Sequence, residues 1–160
     1  MGCDRKSFRS WSKKYLRKSN DLEVFSIDQE TSLDIPFFDN QVPAGFPSPA
    51  QDYIDLDLDL HNYLVKNPSS TFCVRVTGES MRDAGINSGD IMLVDRSLDP
   101  KNRSIVLAVV DNEFTVKRVN VSEEGLFLMP ENADFNPIKI TSEMNFQVWG
   151  VVTYIIHKAN

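Results

Sequence analysis

The chain has little of what several classes of protein require. Only two of its 160 residues are cysteine, which is too few for a disulfide framework and fits a reducing cytoplasm. Its two histidines, His61 and His157, lie far apart, and no Cys, His and Asp residues have metal-ligand spacing, so no metal site is expected. No phosphate-binding or dinucleotide-binding fingerprint occurs, and no cofactor is expected. No apolar run approaches 18 residues and no secretory signal opens the chain, so no membrane association is expected.

The net charge of −6 is divided unevenly along the chain. Residues 1–20 contain seven Lys and Arg against one acidic residue, a net +6, whereas the rest has 10 basic and 22 acidic residues, a net −12. An acidic body is a poor DNA binder, because neutralising phosphates requires clustered Lys and Arg. Little direct DNA binding is therefore expected. The basic segment is interpreted as a solvated, mobile terminus, with contact to nucleic acid or an acidic partner as the alternative.

Residues 1–50 and 51–160 differ in pattern, and we interpret them as two parts. The first part lacks sustained periodicity and ends in a stretch with four prolines: Pro36, Pro43, Pro47 and Pro49. A residue before proline is restricted to extended geometry. Residues 1–50 are therefore predicted to form an extended, partly mobile arm, and residues 51–160 to form the folded domain.

The folded part has the alternating pattern of a β-protein. Cys73 lies in the alternating segment at residues 71–76 and is expected to be a buried small hydrophobe. A turn at 111–113 predicts a hairpin. Seven short strands are predicted, at residues 71–76, 91–94, 104–110, 114–119, 126–128, 138–140 and 146–156. Such spacing favours a twisted sheet or partial barrel.

One short helix is predicted before these strands. Asp59 is a suitable N-cap for residues 60–66, and the Asn67-Pro68 pair ends the helix. The preceding residues 55–59 alternate strictly between Asp and Leu, which is the pattern of a strand.

Ser80 is the first candidate for chemistry. It follows Gly78-Glu79 at the end of a predicted strand, where a hydroxyl group can stand beside free backbone N–H groups. Those N–H groups would stabilise the oxyanion of a tetrahedral intermediate. A serine after glycine is also a common turn residue, and the local sequence does not separate the two interpretations.

Lys117 is the candidate base. A lysine amine can accept a proton at neutral pH only if burial lowers its pKa well below the usual value of about 10.4. Period-two alternation places Lys117 on the same strand face as Thr115 and Val119, where desolvation is possible. The alternative is a strand lysine that points into solvent.

Together these segments resemble the UmuD family, whose members are self-cleaving subunits of an error-prone DNA polymerase and share Ser-Lys peptidase chemistry with LexA. The similarity covers roughly residues 44–156. The matching segments are Ala44-Gly45-Phe46-Pro47-Ser48-Pro49-Ala50, Gly78-Glu79-Ser80-Met81, Gly85-Ile86, Gly89-Asp90, Glu113-Phe114-Thr115-Val116-Lys117, Met129-Pro130-Glu131-Asn132 and Gly150-Val151-Val152. The arm before Ala44 is longer than this resemblance implies.

The resemblance implies a curled, mainly β domain that forms a homodimer. It also implies that Ser80 is the nucleophile, Lys117 the general base and Ala44-Gly45 the bond that is cut. Cleavage in this family is stimulated by RecA filaments on single-stranded DNA, and the trimmed form joins a UmuC-like polymerase subunit for translesion synthesis in the SOS response. The expected location is the cytoplasm.

Other interpretations stay open at this point. A LexA-like regulator needs a DNA-binding domain before the cleavage site, and the 44 residues before Gly45 show no helix-turn-helix pattern. A signal peptidase would use the same chemistry with a membrane anchor, which the sequence lacks. A polymerase accessory subunit could also carry the serine and the lysine without using them.

Overall fold

The computed structural model describes residues 22–26, 34–38 and 55–159. Its helix, α1, is Leu60–Leu64, and a 3₁₀ turn covers Arg82–Ala84. The strands in this part of the chain are β1 Leu22–Ser26, β2 Asp34–Phe38, β3 Asp55–Asp59, β4 Thr71–Val76, β5 Ile91–Asp95, β6 Ile105–Val110, β7 Glu113–Ser122, β8 Gly125–Met129, β9 Ile138–Lys139 and β10 Phe146–Ile156. The predicted mainly β class is confirmed, and the seven predicted strands correspond to β4 through β10.

Eight strands form one antiparallel sheet in the order β1-β4-β5-β10-β6-β7-β8-β9. Three strands therefore separate β4 from β7, and a flat sheet would hold these two about 19 Å apart, at about 4.8 Å per spacing. Val76 of β4 and Val116 of β7 nevertheless belong to one buried cluster and line the same cleft. The sheet therefore curls until its β4 and β7 regions meet, which agrees with the predicted twisted sheet or partial barrel.

The core lies on both faces of this sheet. The larger cluster contains residues of β4, β5, β6 and β7, together with Met81 and Ile86 from the turns after β4. The smaller cluster contains Val106, Ala108, Val119 and Leu128. The prediction for Cys73 was wrong in part: its side chain is partly exposed, because alternation along β4 turns it away from the larger cluster, although burial still raises the pKa of its thiol.

Two strands lie in the N-terminal part, where only an extended arm is predicted. β1 pairs with β4 from Leu22 opposite Val76 to Ser26 opposite Phe72. β2 pairs with β3 in a separate two-stranded sheet, in which Pro36 lies opposite Asp57. Each strand is five residues long and depends on a partner distant in sequence, so local periodicity does not reveal it. Proline is tolerated in β2 because that strand has a partner on one side only among the described strands.

The predicted helix start and hairpin are both present. Residues 55–59 form β3, and Asp59 then caps α1 by accepting a hydrogen bond from the Asn62 backbone N–H at 3.1 Å. The helix ends at Leu64, two residues earlier than predicted, and the Val65 N–H bonds to the His61 carbonyl. Between β6 and β7, Asp111 and Asn112 have φ values of 49° and 71°, as a two-residue type I′ turn requires.

Gly150 gives the fold one position that tolerates no side chain. It follows a bulge in β10, and a Cβ atom there would lie 2.7 Å from Val94 Cγ1 and 2.9 Å from the Asp95 carbonyl oxygen. We expect Gly150→Ala to lower the free energy of unfolding by about 1–3 kcal/mol, because the backbone oxygen cannot move aside easily. Urea unfolding measures this loss. Gln147→Ala, at an exposed position of the same strand, is the control, and equal effects of both variants would contradict the predicted clash.

Candidate active site

Ser80 lies in the turn that leaves β4. Gly78 has a φ of 94°, a conformation that favours glycine, and its N–H bonds to Ser88 Oγ at 3.4 Å. The chain then reverses through Ser80 into the 3₁₀ turn, where the Ala84 and Ile86 N–H groups both donate to the Met81 carbonyl. Met81 is buried in the core, so the residue after Ser80 is held firmly, while Ser80 itself is half-buried.

Lys117 lies in the middle of β7 and is 7% exposed. Its Nζ lies 2.8 Å from Ser80 Oγ, 2.9 Å from Thr115 Oγ1 and 2.9 Å from the Val116 carbonyl oxygen. Of the two interpretations of the sequence, the structure therefore agrees with desolvation rather than with a solvent-facing lysine. The contact joins residues 37 positions apart and is made possible by the curl that brings β7 to the end of β4.

The surroundings of Lys117 favour a neutral amine. Burial lowers the pKa of Lys117. Among the described residues, no carboxylate lies within ion-pair distance of its Nζ. A neutral amine has two N–H donors and one lone pair. Its three neighbours can satisfy that set, with the Val116 carbonyl and Thr115 hydroxyl as acceptors and the Ser80 hydroxyl as donor. The arrangement can therefore take the Ser80 proton onto Lys117.

The two side chains open into a cleft of about 240 Å³. One wall is the turn from Val76 to Met81, and the other is β7 from Phe114 to Lys117, with Phe135 at the rim. Phe135 is 45% exposed, and Phe114 is held by an edge-on ring contact with Trp149 at 4.6 Å between centroids. The lining of the cleft therefore combines aromatic rings with the polar groups of Ser80, Thr115 and Lys117.

The segment after β8 holds the Ser80 turn, and the sequence did not predict this role. The Glu131 N–H donates to the Ser80 carbonyl and the Glu131 carbonyl accepts from the Asp83 N–H, both at 2.8 Å. The Asn132 side-chain amide donates to the Glu79 carbonyl at 2.9 Å. These residues belong to a segment quoted for the family resemblance, but only the closed sheet shows what they contact. Thr115, by contrast, could have been found from its shared strand face with Lys117.

Asn132 should therefore be required for both stability and site geometry. It is 6% exposed, and its Oδ1 also accepts from the Asp134 N–H at 3.0 Å. We expect Asn132→Ala to lower the free energy of unfolding by about 1–3 kcal/mol, because it removes both hydrogen bonds of a buried side chain and leaves space where that side chain was. Thermal unfolding measures the loss. Asn136→Ala, in an exposed position of the same loop, should change little, and an unaltered melting temperature in Asn132→Ala would contradict the prediction.

The predicted scissile bond, Ala44-Gly45, lies outside the described residues, as does the basic segment 1–20. β2 ends at Phe38 and β3 begins at Asp55, and these strands pair with each other. The bond therefore belongs to the segment that connects the two strands of a hairpin.

The remaining candidates do not join this site. His157 Nδ1 lies 2.7 Å from Asp90 Oδ1, and His61 lies in α1; neither histidine lines the cleft. No group of three or more potential metal ligands occurs in the described residues. Within that same part of the chain, no helix has the length and apolar character needed to cross a membrane.

Comparison with known proteins places this fold and site in a family. Residues 36–153 match the family model described as Peptidase S24-like. The match extends from the third residue of β2 through most of β10 and includes both Ser80 and Lys117. The chain therefore belongs to the peptidase S24-like family, a family of serine peptidases.

Individual relatives refine this assignment. The chain is 47% identical to Protein MucA of Salmonella typhimurium, over 75% of this chain and 82% of MucA. It is 45% identical to Protein SamA of the same species, over 77% of this chain and 85% of SamA. It is also 40% identical to the LexA repressor of Psychromonas ingrahamii, over 75% of this chain but 57% of the repressor. The predicted membership of the UmuD family is confirmed.

Proposed function

We propose that this protein is a self-cleaving serine peptidase that cuts its own Ala44-Gly45 bond with Ser80 as nucleophile and Lys117 as general base. One observation carries the proposal: Ser80 Oγ lies 2.8 Å from the amine of a buried lysine that has no carboxylate partner among the described residues. A serine hydroxyl needs such a base in order to attack a peptide carbonyl.

The first half of the reaction forms an ester. Ser80 gives its hydroxyl proton to Lys117 Nζ as Oγ bonds to the Ala44 carbonyl carbon. Among the described residues, no hydrogen bond occupies the backbone N–H of Ser80 or of Met81, so both can donate to the oxyanion. The carbon–nitrogen bond to Gly45 then breaks, and the leaving nitrogen takes the proton from Lys117.

The second half restores the enzyme. Water attacks the Ala44 ester carbonyl and gives one proton to Lys117, while the remaining hydroxyl becomes part of the new Ala44 carboxyl group. The bond to Ser80 Oγ breaks, and Oγ recovers its proton from Lys117. Both groups return to their starting state, so the chemistry consumes only water.

The hairpin of β2 and β3 supplies the substrate within the same chain. Its connecting segment, residues 39–54, contains the scissile bond, three prolines that favour extended backbone, and Gly45, which allows close approach. A tethered substrate is present at high effective concentration, so the fraction of time that it occupies the cleft sets the rate. A partner that favours the occupied state would act as the trigger.

For the cellular role, we extend the proposal by family membership. RecA filaments on single-stranded DNA stimulate the cleavage, and the trimmed protein acts as a homodimer in the cytoplasm. It serves as the accessory subunit of a UmuC-like error-prone polymerase in SOS translesion synthesis. The similarity to MucA and SamA supports this role. The acidic charge of residues 21–160 is consistent with protein partners rather than direct DNA binding.

Incubation of the purified full-length chain tests the proposal. At alkaline pH, or at neutral pH with RecA filaments, intact-mass measurement should show the two products of hydrolysis at one bond, a fragment of residues 1–44 and a fragment of residues 45–160. A cut at another bond would contradict the assigned site. Absence of any cut under both conditions would favour an accessory subunit without peptidase activity.

A further inference from the structure

We infer that the ion pair between Arg118 and Glu131 positions the catalytic pair, by holding the turn of Ser80 against the strand of Lys117. This inference rests on the proposed function and adds two residues to it. Neither residue lines the cleft, and neighbours on a strand point to opposite faces, so Arg118 does not share the face from which Lys117 reaches Ser80. Both are positioning residues rather than catalytic ones.

The topology creates the need for such a connection. Ser80 follows β4 and Lys117 lies on β7, and the hydrogen-bonded path between them runs through β5, β10 and β6. Small changes in twist along that path would add up and change the distance from Ser80 to Lys117. A direct connection between the turn after β4 and strand β7 would prevent this change.

Glu131 forms one side of that connection through its backbone. The β7–β8 ladder ends where Arg118 lies opposite Met129, and Pro130, which has no N–H to donate, follows. The next residue, Glu131, bonds to the Ser80 carbonyl and to the Asp83 N–H, both at 2.8 Å. Its backbone therefore holds the turn at the nucleophile itself and again three residues after it.

Arg118 forms the other side through its side chain. Its Nε donates to the Glu131 carboxylate, and its Nη1 donates to the Arg103 carbonyl at 2.8 Å. The Arg118 and Glu131 side chains are 27% and 31% exposed. The Arg82–Glu79 pair of the same turn is 50% and 62% exposed, so solvent screens it more strongly. Because Arg118 directly follows Lys117, the ion pair joins the base strand to the nucleophile turn.

The pKa of Lys117 distinguishes two ways in which Arg118 and Glu131 could act on it: by holding the Ser80 turn in place, or by the direct effect of their charges. Among the described residues, Glu79 is the one other charged side chain that lines the cleft, while Arg118 and Glu131 lie behind the turn. Removing the Arg118 charge would by Coulomb's law alone raise the pKa of Lys117, and removing the Glu131 charge would lower it. Loss of positioning instead admits water in both variants, and both should raise the pKa of Lys117 toward its usual value.

The experiment compares Arg118→Gln and Glu131→Gln in the full-length chain, with Arg82→Gln as the matched control. We expect both variants to cleave about 10- to 100-fold more slowly at neutral pH, because a displacement of about 1 Å costs that much in an oriented site. Both pH–rate profiles should move to higher pH, so that the loss shrinks in alkali. The charge swap Arg118→Glu with Glu131→Arg should recover part of the rate. Arg82→Gln should match the unmodified protein.

A second measurement separates this inference from the proposed function. NMR titration of ¹³C-labelled lysine reports the protonation of Lys117 whether or not the chain cuts itself. An upward shift of its pKa in both variants supports the inference even if no peptidase activity is found. Unchanged rates, an unchanged Lys117 titration, or shifts of opposite sign in the two variants would each overturn it. A rate loss that follows thermal stability with an unmoved pH profile would show a structural role only.

Discussion

Replacement of Lys117 by methionine should lower the rate at which the fragment of residues 1–44 is released by about 10²–10⁴-fold at neutral pH, which is the usual contribution of a general base. Methionine keeps the length and apolar character of the buried side chain but has no amine to receive the Ser80 proton. Since Lys117 Nζ is the basic group within hydrogen-bond distance of Ser80 Oγ among the described residues, no neighbour can replace it. Intact-mass measurement over time gives the rate.

Two further variants make this result specific. Lys101→Met removes an exposed lysine and should leave the rate unchanged. Ser80→Ala should release no fragment at any pH, because the nucleophilic oxygen is gone, and the double variant with Lys117→Met should be no slower, since the two residues act as one unit. Cleavage of Lys117→Met at the normal rate, with a preserved fold by circular dichroism, would refute the role of the lysine.

The strands that carry Ser80 and Lys117 could be predicted from local patterns, but the contact between these two residues could not. Period-two alternation identified β4 and β7, and it placed Thr115 beside Lys117 on one face. The contact between Ser80 and Lys117 depends on the curl of a sheet with three strands between them, and no local pattern encodes that curl. The pairing of Ser80 with Lys117 was predicted from the family resemblance, because members of a family share a tertiary fold.

The same reason explains what the sequence did not predict. Glu131 and Asn132 hold the Ser80 turn by hydrogen bonds to its backbone carbonyl and N–H groups, which nearly every residue has, so the sequence of the turn does not indicate its partners. β1 and β2 are extended, as an arm would be, but their pairing with β4 and β3 depends on segments more than 15 residues away. Helix capping by Asp59 was predictable because donor and acceptor are three residues apart.

The second large effect is a dependence of cleavage on pH that follows the titration of Lys117. Burial lowers the pKa of this amine, and only its neutral form accepts the Ser80 proton. Below that pKa the rate should rise about tenfold per pH unit, and above it the rate should level off. Rates of the full-length chain between pH 6 and pH 11, without any partner protein, measure the profile. A rate that falls or stays constant as pH rises would contradict a lysine base.

Unfolding of a protein that cannot cut itself provides an independent check on the same titration. The folded pKa of Lys117 is below the unfolded one, so between the two values the unfolded chain binds more protons and stability rises with pH. The slope from this one group approaches about 1.4 kcal/mol per pH unit and vanishes below the folded pKa and above the unfolded value of about 10.4. The difference in the free energy of unfolding between Ser80→Ala and Ser80→Ala/Lys117→Met isolates Lys117, because the other titrating groups contribute equally to both proteins. The stability of the lysine-containing protein relative to the double variant should therefore stay constant below the folded pKa, where cleavage accelerates, and increase with pH above it, where the cleavage rate has levelled off. A difference that stays constant up to the unfolded value of about 10.4 would mean that folding does not lower the pKa of Lys117, and the proton transfer from Ser80 at neutral pH would need another acceptor.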